Sequence, residues 1–154
     1  AWLLGLPGVG YVGHTHPVAV DQILCSPHAA AFARERLIPD QVVYCGEASV
    51  LVPYVDPGLV LARTIAERVS AFRTETGTTP KTILLENHGA IGLGATAAEA
   101  YAALAMLEKS ARIFAGAAAL GGPVFMPPHH VARIAGRPDE HYRQRVLWTT
   151  QDRR

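Results

Sequence analysis

Apolar and polar positions switch between two periods along the chain, and the switches mark its elements. Val9, Tyr11 and Val12 open a strand that runs from Val9 to His16. Pro17 ends it, because proline has no amide to give to a ladder. Ahead of this strand, Ala1 to Leu6 reads as the last turn and a half of a helix, broken at Pro7-Gly8. Behind it, Val18, Val20, Ile23 and Leu24 repeat at helical spacing. Ser26-Pro27 is a cap followed by proline, and predicts a second helix over about 28–36.

Ile38-Pro39-Asp40 then reads as a turn, Gln41 to Cys45 as a β-branched strand, and Val50 to Val55 as an extended segment interrupted by Pro53. Asp56-Pro57 repeats the cap-then-proline signature. The helix behind it carries Leu59, Val60, Leu61, Ile65, Ala66, Val69 and Phe72, with a loop expected from Thr74 to Pro80. Lys81 to Glu86 reads as a buried strand, with Ile83-Leu84-Leu85 apolar without alternation, and Ala90 to Leu93 as a second short one. Thr96-Ala97-Ala98-Glu99 is a capping box. It opens the longest element, from Ala97 to about Leu120, with Leu104, Leu107, Ala111, Phe114 and Ala118 on one stripe and Gly121-Gly122 as its stop. Pro127-Pro128 predicts a short helix to Ala135, and Asp139 to Trp148 a last polar one. Strands alternating with helices make the class α/β, and the short strand-turn-strand units suggest a sheet that is not purely parallel.

Composition narrows the picture. With 154 residues, 49% of them apolar, one domain with a real core is expected over 1–154. A formal net charge of +1 points to neither nucleic acid nor an anionic membrane as partner. No apolar run approaches the ~20 residues that span a bilayer. Cys25 and Cys45 stand far apart without a C-x-x-C, which fits a reducing cytoplasm and argues against a disulfide framework. The chain opens on Ala1-Trp2-Leu3-Leu4 with no methionine, and the domain is expected to continue upstream.

Candidate chemistry gathers at Gly13-His14-Thr15-His16-Pro17. In a strand, His14 and His16 share a face, and Thr15 takes the other. Leu84-Leu85-Glu86-Asn87-His88-Gly89 supplies a third histidine at the end of another apolar strand. Three imidazoles on strand ends suit zinc or a similar divalent cation, with positions left open for substrate. Taken alone, each histidine reads equally as a solvent-facing or turn residue. His129-His130 reads as an exposed pair at a helix start, and His28 and His141 as surface residues.

The order His14-Thr15-His16-Pro17, Asn87-His88-Gly89, then Gly92-Leu93-Gly94-Ala95-Thr96 opening a long helix that contains Glu108, resembles the class II aldolase and adducin head family. The resemblance covers about residues 9 to 120. It implies a three-layer α/β/α fold with a central, largely antiparallel or mixed sheet. It implies that His14, His16 and His88 bind a divalent metal ion, most often Zn2+, with Mn2+ or Co2+ as the other choices. It implies a homotetramer acting on a small sugar phosphate or related hydroxy-ketone. The reaction implied is (retro-)aldol cleavage by a metal-dependent lyase, in which Lewis-acid catalysis stabilises an enediolate. An epimerase, a dehydratase or a non-catalytic adducin-like module on the same scaffold are the alternatives. The family's acid-base glutamate and phosphate loops would fall before Ala1, and neither Asp21 nor Glu86 matches that glutamate. The family's aldolases also use a tyrosine from a neighbouring subunit as proton donor, after an Ile-Pro step. Here Ile38-Pro39 is followed by Tyr44, which reads alternatively as an ordinary strand aromatic.

Overall fold

A computed structural model describes residues 1–137. The helix expected over 139–148 lies outside the described residues. The chain begins with a single 3-10 turn, Trp2–Gly5. It continues through β1 (Tyr11–Thr15), α1 (Val18–Leu24), α2 (Ala29–Arg34), α3 (Pro39–Cys45), β2 (Val50–Val52) and α4 (Leu59–Thr76). It finishes with β3 (Thr82–Leu85), β4 (Gly89–Gly94), α5 (Ala97–Ala119) and α6 (Pro128–Ala135). The four strands form one mixed sheet in the order β1-β4-β3-β2. β1 and β3 run antiparallel to β4, and β2 runs parallel to β3. The tight β3–β4 reversal makes one antiparallel pair, whereas β2 and β3 are joined through α4, the crossover that a parallel pair requires.

Period-two alternation divides the sheet between two cores. Ile83, Leu85, Ile91 and Leu93 face Leu61, Ile65 and Val69 of α4, together with Leu6 and β2. Leu84 and Ala90 face the opposite way, into a core made by α1, α2, Cys45 of α3, and Leu104, Leu107, Ala111 and Phe114 of α5. Helices therefore cover both faces, giving an α/β fold of three layers. Strand β3 is buried along its whole length, because both its faces are covered. Helix α5 comes unusually close to the sheet. A Cβ at Gly92 would stand 2.6 Å from the Ala100 carbonyl oxygen, and one at Gly13, its partner across the ladder, 3.0 Å from Leu104 Cδ1.

Three local expectations are corrected. Residues 41–45 are helix, not strand: Pro39 occupies the first turn of α3 with Asp40 beside it, and buried Val42 and Cys45 lie three apart, a helical spacing. The loop expected from Thr74 is the last turn of α4, where the Thr74 and Thr76 hydroxyls donate to the Ser70 and Phe72 carbonyls. Gly77, at φ 71°, closes that helix in the left-handed conformation. Asp56-Pro57 does not cap α4. Gly58 precedes its first residue, and Asp56 accepts from the Tyr54 hydroxyl instead.

Candidate metal centre

The site lies where β1 ends and the β3–β4 turn begins. β1 delivers His14 at its fourth residue and His16 one residue past its end, and Thr15 pairs with Ala90 at the start of β4. His88 arrives from the turn. Asn87 there takes φ 54°, a left-handed conformation that asparagine tolerates better than most residues. The turn is held from two sides: the Glu86 amide donates to the Val52 carbonyl (3.0 Å), and the Asn87 amide to the Leu24 carbonyl of α1 (3.4 Å). Gly89 follows because nothing larger fits. A Cβ there would stand 2.6 Å from His16 Cδ2 and 2.7 Å from the Thr15 carbonyl oxygen.

The three imidazoles converge. Ring centroids are 4.9 Å apart for His14 and His16, and 5.2 Å from each of these to His88, with interplanar angles of 74°, 85° and 69°. One ligand nitrogen from each ring lies within 4.8 Å of the other two, and among the described residues these histidines form the one such group. The Nε2 atoms of His14 and His16 are 3.1 Å apart. Nitrogens on one tetrahedral zinc at about 2.1 Å would stand about 3.4 Å apart, so the spacing fits a shared divalent ion.

Protonation suits the same purpose. His14 Nδ1 lies 3.0 Å from the Ala90 carbonyl, which only accepts, so Nδ1 carries the proton and Nε2 keeps its lone pair. Burial pushes His88 below the ordinary histidine range, and the neighbouring His14 and His16 push it further, while Asp21 pulls the other way. A neutral imidazole is the form that binds a metal.

Two carboxylates stand close to the site, and the sequence assigned neither a role there. Glu108 of α5 accepts from the Ala19 and Val20 amides at 3.1 and 3.3 Å, satisfying the first turn of α1, and also pairs with Arg112 at 2.9 Å. Asp21, in the first turn of α1, has an Oδ1 that is buried with no hydrogen-bond partner. Burial raises the Asp21 carboxyl above its ordinary value, and Glu108 adds to this, while His16, His88 and His14 lower it. The available signal was position. Asp21 lies five residues after His16 on a helix that begins directly behind the histidine pair, but only the folded chain shows its lack of a partner.

Tyr44 stands elsewhere. It lies on α3 and lines a cavity of about 280 Å³ with Lys81, Gly94 and Glu99. Gly94 is at the far end of β4 from Gly89, and at ~3.3 Å per residue the two ends are about 16 Å apart. Tyr44 and the histidines are therefore not neighbours within one chain. His129 and His130 pack against each other on α6, with centroids 4.1 Å apart, and neither belongs to the cluster of His14, His16 and His88.

Comparison with known proteins agrees with this architecture. The model of the class II aldolase and adducin N-terminal domain matches residues 4–115. The protein described as uncharacterized oxidoreductase YuxG of Bacillus subtilis (strain 168) is 33% identical over 91 residues, which is 59% of this chain and 11% of YuxG. Among solved structures, an L-fuculose 1-phosphate aldolase superposes with a TM-score of 0.65 at 19% identity, covering 85% of this chain and 56% of the aldolase. YgbL of Escherichia coli, described as a candidate aldolase/epimerase/decarboxylase, gives 0.63 at 21% identity, covering 84% and 59%. The L-fuculose 1-phosphate aldolase of Glaciozyma antarctica PI12 gives 0.61 at 22%, covering 84% and 45%. At these identities the structural likeness shows a shared fold. The chain spans 45% to 59% of the length of these solved relatives and about a tenth of YuxG. With more than half of the chain matched by the family model, this protein belongs to the class II aldolase and adducin N-terminal domain family.

Proposed function

We propose that this chain carries the metal centre of a lyase that cleaves a small sugar phosphate or related hydroxy-ketone by retro-aldol chemistry. The observation that carries the reading is the convergence of His14, His16 and His88 from two separate parts of the sheet. A divalent cation held by these residues, zinc being the best match to an all-imidazole set, would supply Lewis-acid polarisation of the substrate's carbonyl and hydroxyl oxygens. The chain's own contribution is to fix the ligands. Ala90 sets the tautomer of His14, the Asn87 turn presents His88, and the exposed side of His14 and His16 leaves an approach for substrate.

Tyr44 enters the reading as an acid toward a leaving alkoxide. Its distance from the triad of its own chain means that it would serve the triad of a neighbouring copy, in keeping with a homo-oligomer, a tetramer by family resemblance. Epimerisation on the same centre is the second reading, favoured by the epimerase activity named for YgbL, with dehydration the other alternative on this scaffold. An adducin-like module without catalysis would have no need of a preorganised triad. Free Cys25 and Cys45 support a cytoplasmic setting, and among the described residues no helix is long and apolar enough to cross a membrane.

The test is metal content by elemental mass spectrometry on protein purified without chelator or affinity metal, followed by a screen for retro-aldol products. About one divalent ion per chain is expected, falling to background in His16→Ala with the fold retained. In Tyr44→Phe the metal should remain while turnover falls by about a hundredfold. A metal content unchanged by His16→Ala would overturn the assignment.

A further inference from the structure

Resting on the reading of His14, His16 and His88 as metal ligands, we propose that Asp21 is the outer carboxylate of this centre, a positioning residue that balances the charge of a divalent cation without ligating it. Three neutral imidazoles leave both charges of such an ion uncompensated. Among the described residues, Asp21 and Glu108 are carboxylates whose charges act on one another beside the triad, and Asp21 is the uncommitted one. Glu108 is engaged by the Ala19 and Val20 amides and by Arg112. Asp21 Oδ1 is buried without a donor. An orphaned carboxylate oxygen is costly, and it persists in a folded protein where something offsets it.

The geometry aims Asp21 at the triad. Side chains on a helix lean toward its N-terminus, and the N-terminus of α1 is the end joined to His16 through Pro17. The same helix holds the His88 turn through the Leu24 carbonyl. Asp21 is thus fixed between the two pieces of chain that bring the ligands together. The charges of all three histidines act on it, and it acts in return on His88. It stands outside the ligand set, because only the three histidine nitrogens share the 4.8 Å cluster among the described residues. Its effect is therefore exerted through space, as a negative charge beside the ion.

The experiment measures Zn2+ affinity by competition with a chromophoric chelator for the unmodified chain, Asp21→Asn and Asp21→Glu. Thermal midpoints of the metal-free proteins are measured in parallel. Asp21→Asn is expected to weaken Zn2+ binding by about 10- to 100-fold. The metal-free midpoint should hold or rise, because a neutral amide replaces a desolvated charge. Asp21→Glu, which keeps the charge, should restore most of the affinity. Zn2+ affinity unchanged in Asp21→Asn would overturn the role of Asp21 while leaving the triad intact. A fall in affinity matched by a fall in the metal-free midpoint, with no recovery in Asp21→Glu, would mark a structural residue and overturn it as well. Failure of the unmodified chain to bind Zn2+ would defeat the triad reading itself, and this inference with it.

Discussion

At the scale of single residues, the site depends as much on a missing side chain as on those present. Gly89 lets the end of β1 lie against the start of β4, and any Cβ there meets both the His16 ring and the Thr15 carbonyl oxygen. Relief requires backbone movement, since the Thr15 carbonyl cannot swing away as a flexible side chain would. Gly89→Ala is therefore expected to cost about 1–3 kcal/mol of stability and to displace His16. Chemical denaturation and metal titration check both effects, and a variant that binds zinc normally would show that the contact relaxes without involving the ligands. Residue by residue, the three converging histidines were readable in the sequence for a geometric reason. A period of two places His14 and His16 on one side, and Asn87-His88-Gly89 is a recognisable tight turn. Asp21 was not readable in that way. Its significance is the absence of a partner, which depends on where α5 brings Glu108, 87 positions later in the chain.

At the scale of elements, proline and glycine punctuation located most boundaries, and the errors share a cause. Local β-branching suggested a strand at Gln41–Cys45. The outcome was decided by Pro39 in the first turn and by α5, against which α3 packs. The end of α4 was misplaced because its last turn holds no apolar residue to mark it, only threonines that bond back to the helix. The Thr96 half of the α5 capping box was read correctly, while Glu99 reaches one residue further back than the N-cap amide. Thr96 Oγ1 accepts from the Glu99 amide at 3.2 Å, and Glu99 Oε2 accepts from the Ala95 amide at 2.7 Å. Because α5 carries most of one core, the cap should be felt globally. Thr96→Ala is expected to destabilise the fold by about 1 kcal/mol, with Thr96→Ser close to unchanged, measured as shifts in the denaturation midpoint.

At the scale of the whole molecule, the α/β class and the mixed character of the sheet were legible in the alternation of elements. The strand order was not, because β1 reaches β4 across some 75 intervening residues and no local signal encodes so distant a pairing. This long-range pairing also gives the proposed metal centre a mechanical meaning. β1 is an edge of the sheet among the described residues, held laterally by β4 alone, and its outer residue Tyr11 is 52% exposed. An ion shared by His14, His16 and His88 would tie this edge to the turn between the two inner strands, closing a loop between residues 16 and 88 much as a covalent cross-link would. Zinc at about a hundred times its dissociation constant should then add about 2.7 kcal/mol of stability. Amide hydrogen exchange should slow most at residues 11–15, and uniform slowing throughout the chain would show a ligand that stabilises without clasping. The ion would be a rivet as well as a reagent: losing it would both disarm the centre and free an edge strand, with its unpaired amides, to add to the sheet of another molecule.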